Sequence, residues 1–325
     1  MLRKIDWASQ IGRRLKFRDL HVFLTVVRCR SMAKAAQQLG VSQPVVSAVI
    51  ADLEHALGVR LVDRSASGVE PTPFGGALLK RSVAAFDELK QSIRDIEFLS
   101  DRTAGEVRIG APNVLAGFVA AVIQKFTRQY PRVVCRLPTW GDYRALEERE
   151  VDLTFTLPIE PIDRALMDAE VLYAAPRFVI AAKKNPWSRR RRVRLADLMN
   201  EPWALPSAES PQGALDVGTF RAAGLELPAA AVVSDGAGAR LALVAGGRFL
   251  TIVSDATLRF AGWGMAVAPL STDMPDIRNP VGIATLKNRT LTPVAQLFID
   301  CAREVAKPLA TGKSVSTRHR RVQQM

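Results

Sequence analysis

The chain has 325 residues, 48% of them hydrophobic and 24% charged, which suits two or three domains with their own cores rather than one small domain. No apolar run reaches the roughly 18–20 residues that span a bilayer, and the basic stretch 1–16 lacks the apolar segment of a secretory signal, so a cytoplasmic protein with no membrane partner is expected. The net charge of +13 favours an anionic partner, nucleic acid first.

That charge is unevenly placed. Residues 1–64 hold 11 Lys/Arg against 5 Asp/Glu, a net of +6. Residues 1–16 read as a basic extension. From Phe17, apolar side chains at 17, 20, 23, 24 and 27 share one helical face and predict a scaffold helix over 17–29. Ser31 is placed to cap a short helix running to about Leu39, and Gly40 to end it in the left-handed conformation that a sharp turn needs. Ser42 is read as the cap of a second helix, with Pro44 tolerated in its first turn and Gly58 closing it. Two helices joined by a short turn with glycine form the helix-turn-helix pattern, and Ala36 is the small residue such a crossing needs. Val41, Val46, Ile50 and Leu53 are assigned inward. Ser42, Gln43, Pro44, Ser47, Ala48 and Ala51 face outward and are small or polar enough to enter a major groove. Gln43 suits bidentate contact to adenine, and the Ser47 hydroxyl a base or phosphate. An ordinary helical hairpin shares part of this pattern.

Residues 60–64 and 69–71 read as two short strands around a Ser-Ala-Ser-Gly turn, a wing. Arg64 is placed either against a phosphate or in a salt bridge with Asp63 or Glu54. Thr72 then caps a helix that has Pro73 at its first position and runs to about Leu99. Leu79, Phe86 and Ile93 repeat every seven residues, with Val83, Leu89 and Ile96 alongside. Such a narrow seam calls for a partner helix, and the obvious partner is a second copy, which would present two recognition helices to two DNA half-sites.

After a polar joint at 101–105 the pattern alternates: strands at 107–111, 133–137 and 151–155 enclose helices at 114–129 and 142–150. A second unit follows, with strands at 177–182, 203–205, 231–233 and 249–253 and helices at 195–198, 214–223 and 237–245. A strand at 283–286 and a helix at 292–307 could return to complete the first unit. Strand–helix alternation predicts an α/β domain with a parallel sheet, in two lobes with a cleft between them. Residues 311–325 read as a basic tail, polar enough to be disordered.

The segment AKAAQQLGVSQPVVSAVIADLEHALGVRLVDRSASGVEPTPFGGALL resembles the signature of LysR-type regulators: the Ala-Ala pair, Leu-Gly, Ser-Gln-Pro-x-x-Ser, Leu-Glu-x-x-Leu-Gly, the wing arginine and Thr-x-x-Gly. The second half is similar to that family's effector domain in GEVRIG, Phe126-x-x-x-Tyr-Pro, the Val-Asp-Leu strand and the final Leu-Thr-Pro-Val-Ala helix. The resemblance implies a mixed architecture: an all-α winged helix-turn-helix (17–72), a linker and dimerisation helix (73–100), and a two-lobed α/β effector domain of periplasmic-binding-protein type (105–310). Lobe I would hold 105–175 and 281–310, and lobe II 176–280. The implied function is a sequence-specific DNA-binding transcriptional regulator, not an enzyme, controlled by a small-molecule effector between the lobes and assembled as a dimer or tetramer. RNA polymerase is a further partner to consider. By position, Ser31, Ser42, Gln43, Pro44, Ser47 and Arg64 are the expected DNA-binding residues. Asn113, Thr139, Ser207 and Ser234 are the expected effector contacts. In Ala245–Leu250 the family's usual Gly-x-Gly-Ile is replaced, and Arg248 or Arg240 could meet an acidic effector, or lie on the surface.

Other chemistries lack support. The chain has no GxSxG, P-loop or HExxH, and its three histidines and three cysteines are too dispersed for a triad or a zinc site, so no catalytic residue, metal or cofactor is expected. The arginines at 189–194 read as a solvated loop, with phosphate contact as the alternative. A ligand-binding or transport module remains the competing function, with the N-terminal helices as an oligomerisation element. An α/β transferase or isomerase lacks an acid–base pair.

Overall fold

The computed structural model describes residues 15–65, 68–138, 143–157, 163–260 and 266–310. The basic extension (all but its last two residues), the tip of the wing turn, Thr139 and the basic tail lie outside them. The chain divides into two compact units, 1–90 and 91–325.

The first unit is the helix-turn-helix. Helix α1 (Phe17–Cys29) ends at Arg30, whose φ is 49°. Helix α2 (Met32–Leu39) starts at Ser31, whose hydroxyl accepts the Lys34 N–H at 3.3 Å. At its end Gly40 adopts φ 66°, the Gly40 N–H bonds to the Gln37 carbonyl, and the Val41 N–H to the Ala36 carbonyl. This paired closure stops the helix and turns the chain within three residues. Helix α3 (Gln43–Leu57) closes the same way at Gly58. Val46, Val49, Ile50 and Leu53 are buried against Phe23, Val26, Ala35 and Ala36. Val41 is not part of that face: it is 41% exposed, because it precedes the helix and the 3.6-residue period does not reach it. Val49 takes the inward place.

Strands β1 (Val62–Ser65) and β2 (Gly68–Pro71) pair antiparallel as the wing. The wing is tied down twice: the Glu54 carboxylate accepts the Leu61 and Val62 N–H groups at 2.7 and 3.2 Å, and the Val69 N–H donates to the Arg30 carbonyl at 3.0 Å. Helix α4 (Pro73–Ser100) follows directly. The Thr72 hydroxyl donates to the Arg60 carbonyl at 2.7 Å and accepts the Gly75 N–H at 3.1 Å. A Cβ on Gly75 would lie 1.9 Å from the Leu61 carbonyl oxygen. The Thr-x-x-Gly pattern therefore has a physical basis: a cap that ties the helix to the wing, and a bare Cα that lets the two backbones meet. Gly75→Ala is expected to cost about 1–3 kcal/mol, as forced overpacking does, in urea unfolding of the full chain. A change within about 0.3 kcal/mol would mean that the wing yields freely.

The second unit opens in the last three turns of α4. Strands β3 (Ala104–Gly110), β4 (Arg132–Arg136) and β5 (Leu153–Thr156) pair in parallel, with β3 central. Helices α5 (Ala116–Gln129) and α6 (Tyr143–Glu147) connect them. Strand β6 (Met167–Ala182) then runs 16 residues. Its first part pairs antiparallel with β11 (Arg278–Leu286), which also pairs antiparallel with β5. The second part of β6 pairs antiparallel with β9 (Thr251–Ser254) and β10 (Val267–Pro269). The main sheet is thus seven-stranded and mixed, and the expected parallel order holds only for β3–β5 and for β7 (Trp203–Leu205) with β8 (Ala230–Val233). Helices α7 (Pro211–Ala222) and α8 (Ala237–Ala245) belong to the second lobe; α9 (Asp255–Phe260) packs back on the first, with Ala256 in its core and the Thr257 hydroxyl donating to the Val114 carbonyl at 3.2 Å, and α10 (Pro293–Ala310) returns there as well.

Each lobe has its own core. Phe118, Phe126, Phe155 and Phe298 are fully buried in lobe I and meet mostly edge to face at 5.1–6.2 Å. Trp203 fills lobe II against Phe220 at 5.6 Å and donates its indole N–H to the Leu198 carbonyl at 2.8 Å.

Asp152, at the entry to β5, is 1% exposed and gathers three arginines. Its Oδ1 accepts from Arg108 and Arg289 at 2.8 Å each and has Arg94 of α4 at 3.6 Å, while its Oδ2 accepts the Arg108 N–H at 2.8 Å. Gln91, one turn earlier on α4, donates to the Thr290 carbonyl at 3.3 Å. The end of α4 is thereby fastened to lobe I by charge and hydrogen bonds.

Candidate functional site

In the first unit the outward face of α3 is as polar and small as the sequence requires. Ser42, Gln43, Pro44, Ala48 and Ala51 are exposed and Ser47 is half-buried. Ser42 occupies the cap position, but its hydroxyl makes no capping bond. The reason is local: Pro44 has no N–H to offer, and the Val45 N–H already donates to the Ser42 carbonyl at 3.1 Å. The hydroxyl is left beside Gln43 on the open face. Ser31 does spend its oxygen on its cap.

Around this face stand cations. Arg64 on β1 is exposed, and among the described residues neither Asp63 nor Glu54 pairs with it; Asp63 lies 3.8 Å from Arg60 instead, and Glu54 holds the wing backbone. Arg30 and Lys34, in the turn before α2 and in its first turn, are also exposed. The sequence reading passed over both, although a residue with a left-handed φ between two helices marks where the chain is presented to solvent.

In the second unit a cleft of about 300 Å³ lies between the lobes. Lobe I supplies Pro112, Val114 and Tyr143 and the exit of β5 from Thr154 to Leu157; lobe II supplies the start of α7 at Ser210–Gln212 and the start of α8 with Asp235, Ala237 and Arg240. Much of the wall is apolar. The Tyr143 hydroxyl and Thr156 Oγ1 are hydrogen-bonded to each other.

Of the four expected effector contacts, Asn113 opens a short 3-10 turn between two lining residues. Ser207 and Ser234 do not line the cavity but build its floor through their main chains. The Ser207 N–H donates to Asp235 at 3.0 Å, and the Ser234 carbonyl accepts from Arg240.

Arg240 is 2% exposed, so it is not a surface arginine. Burial pulls its guanidinium below the usual value, with Asp216 and Asp235 opposing. Beneath it Asp216 pairs with Arg177, both fully buried, and Arg177 also donates to Thr219 Oγ1 at 2.8 Å and the Leu215 carbonyl at 3.2 Å. Burial outweighs the two arginines and raises Asp216 from 3.8 to about 6. The folded state thus holds this proton more tightly than the unfolded chain, so between about pH 6 and 4 stability should rise as the pH falls. Asp216→Asn should remove that contribution. Paired pH–stability curves with the same slope in this window would disprove it.

Cys135 is pushed up to about 11 by burial and then by Cys301, and Cys301 is raised chiefly by burial, so both thiols stay protonated at neutral pH. Among the described residues no cluster of His, Cys, Asp and Glu could hold a metal, and no helix is long and apolar enough to cross a membrane. In the arginine run, Arg190 stacks on Trp187 at 4.8 Å and Arg194 pairs with Asp197 at 2.6 Å.

Comparison with known proteins agrees with both halves. Residues 17–76 match the model of the bacterial regulatory helix-turn-helix protein, lysR family, and residues 100–307 match the LysR substrate binding domain. The HTH-type transcriptional regulator TdcA of Escherichia coli K12 is 28% identical over 294 residues, covering 89% of this chain and 93% of that protein. The transcriptional dual regulator GltC of Bacillus subtilis is also 28% identical, over 88% of this chain and 96% of that one. In fold, the chain is similar to full-length CbnR in complex with its target DNA, with a TM-score of 0.64 at 22% identity over 90% of this chain and all of that one. A full-length OxyR variant from Pseudomonas aeruginosa gives 0.62 at 19% identity over 91% and 96%. A helix-turn-helix head, a linker helix and a two-lobed α/β half that together match along most of their length make this chain a member of the LysR family of transcriptional regulators, with a DNA-binding and a substrate-binding domain rather than an enzyme's active site.

Proposed function

We propose that the head (17–72) reads operator DNA with α3, that α4 (73–100) pairs with its copy, and that a small effector in the cleft of the 105–310 domain sets the outcome. The polar, close-approaching face of α3 carries this reading: Ser42, Gln43, Pro44 and Ser47 stand on a helix whose opposite side is locked into the core. Such a face suits a groove and not a self-association surface, which disfavours the transport-module alternative. Arg64, Arg30 and Lys34 supply phosphate contacts beside it, and two-fold pairing yields a dimer or tetramer spanning spaced half-sites. The protein acts in the cytoplasm, and any contact with RNA polymerase follows from promoter binding.

The test is a footprint on the DNA upstream of the protein's own gene, and on a random-sequence pool, at several salt concentrations. Protection of spaced half-sites that survives salt is expected. Gln43→Ala should weaken operator binding by about 1–3 kcal/mol and relax preference at one base pair. Arg64→Gln should weaken all sequences alike and lower the salt slope by about 1. Unchanged binding in Gln43→Ala and Ser47→Ala would disprove the recognition-helix assignment.

A further inference from the structure

The cleft holds a cation that the protein itself leaves half-satisfied. Arg240 is 2% exposed; it donates to the Ser234 carbonyl, and its Nε–H is buried with no acceptor. A buried N–H without a partner and a buried charge without a counter-charge are both costly, and native structures rarely keep them unless something else completes the site. The neighbouring carboxylates do not complete it. Asp216 pairs with Arg177 through Oδ1, its Oδ2 being buried without a hydrogen bond, and Asp235, which lines the same cleft, is exposed with one oxygen on the Ser207 N–H. Among the described residues neither comes within ion-pair distance of Arg240. Two buried guanidinium groups, Arg177 and Arg240, thus share the one buried carboxylate of Asp216, with Asp235 at the cleft surface.

The guanidinium lies in the wall of a cavity whose lining, Asp235 apart, is largely apolar: Val114, Phe155 and Leu157 from lobe I, Pro211 and Ala237 from lobe II. Arg240 sits in the first turn of α8, and the α7 and α8 starts both face the cleft. Helix N-termini favour negative charge, which here only reinforces the guanidinium. The volume, about 300 Å³, is at the small end of ligand cavities.

We infer that the effector is a small organic monoanion whose carboxylate accepts from the Arg240 guanidinium, while a hydrocarbon or aromatic body packs against Phe155, Leu157 and Ala237. This rests on the cleft being the effector site. The Asp235 carboxylate in the same lining opposes a second negative charge, so dicarboxylates are disfavoured. The Tyr143–Thr156 hydroxyl pair, Ser210 and Gln212 are the further polar lining groups placed to read a substituent.

The probes are benzoate and hexanoate against their amides, benzamide and hexanamide, titrated into the full-length protein at constant ionic strength. Calorimetry gives affinity, and the thermal midpoint gives stabilisation by mass action. At least one carboxylate should bind saturably below about 10 mM, and its amide at least about tenfold more weakly. Arg240→Gln should lose about 10- to 100-fold for the carboxylate and nothing for the amide, and Arg240→Lys should recover part of it. Circular dichroism on both variants separates lost binding from lost fold. Carboxylate and amide binding equally, or Arg240→Gln binding the carboxylate like the parent while folded, overturns the inference. So does the absence of saturable binding by either carboxylate. A plug, Ala237→Trp, separates this from the cleft reading. Amide binding that the plug abolishes keeps the cleft and discards the anion, whereas carboxylate binding that survives the plug discards both.

Discussion

Asp152→Ala should unfold the second unit at a temperature about 6–20 °C below that of the parent, the shift expected for a loss of about 3–5 kcal/mol in a unit of this size. Asp152 joins Arg94, Arg108 and Arg289; Arg94 has a second carboxylate, Glu106, at 3.6 Å, whereas Arg289 is fully buried. Removing it abolishes an attraction, but the larger cost is Arg108 and Arg289 left facing each other without that carboxylate, Arg289 shut off from water. Asp152→Asn is the informative partner. It keeps the shape and one acceptor, so an intermediate loss divides the effect between charge and geometry. A shift under about 2 °C for the alanine variant would show that the arginines relax outward and that the hub is dispensable. Because Arg94 belongs to α4, the variant should also loosen the end of that helix, which hydrogen exchange at 91–100 would register.

Ile93→Glu combined with Ile96→Glu should raise the dissociation constant of the assembly by at least about 1,000-fold. Each isoleucine contributes about 1.5–3 kcal/mol on burial, symmetry doubles the count, and the new carboxylates repel their copies. The side chains at stake are exposed in the single chain: Leu89 46%, Ile93 57%, Ile96 63% and Leu99 69%. They follow one another at helical steps of four and three, on a helix that the sequence pattern already reads as needing a partner. The structure narrows that reading. Leu79 packs on the head's own core, and Phe86 lies edge to face on Phe17 at 5.6 Å, so the first part of the seam is used within the chain and the stripe from Leu89 onward is what remains. Sedimentation velocity across a dilution series measures the effect, with operator affinity falling in parallel. A variant that sediments like the parent at nanomolar concentration would place the interface elsewhere.

What could be read from the sequence was what is local. The helix-turn-helix, the wing and the cap of α4 are encoded within three or four residues of where they occur, in Ser31, Gly40, Gly58, Thr72 and Gly75, and all stand where the pattern puts them. Strand direction is not local. Strand β6 pairs with β11 more than a hundred residues later, and the exposed Asp168 and Glu170 at its start resemble a loop. That is why the pattern predicts a parallel sheet where a mixed one is found. The cleft residues divide in the same way. Loop hydroxyls such as Ser207 and Ser234 are candidates by their side chains, and their main chains hydrogen-bond to Asp235 and Arg240. Arg240 was visible as the single charge in an otherwise small and apolar stretch, Ala237 to Ala245, but its burial depends on what packs above α8.

The uninterrupted course of β6 bears on how this protein can diversify. The sheet of lobe II is built on the far half of that strand, with β9 and β10 both paired to it, and the near half lies in lobe I beside β11. Neither lobe is therefore an exchangeable module: a fragment cut at the lobe boundary would lose the strand on which its neighbours align. Recombination that grafts a new ligand preference onto this head must carry both lobes across together, with the junction at or before the end of α4. A swap confined to 183–266 sets a donor's β9 against this chain's own β6 and should give chimeras less stable than those that exchange both lobes.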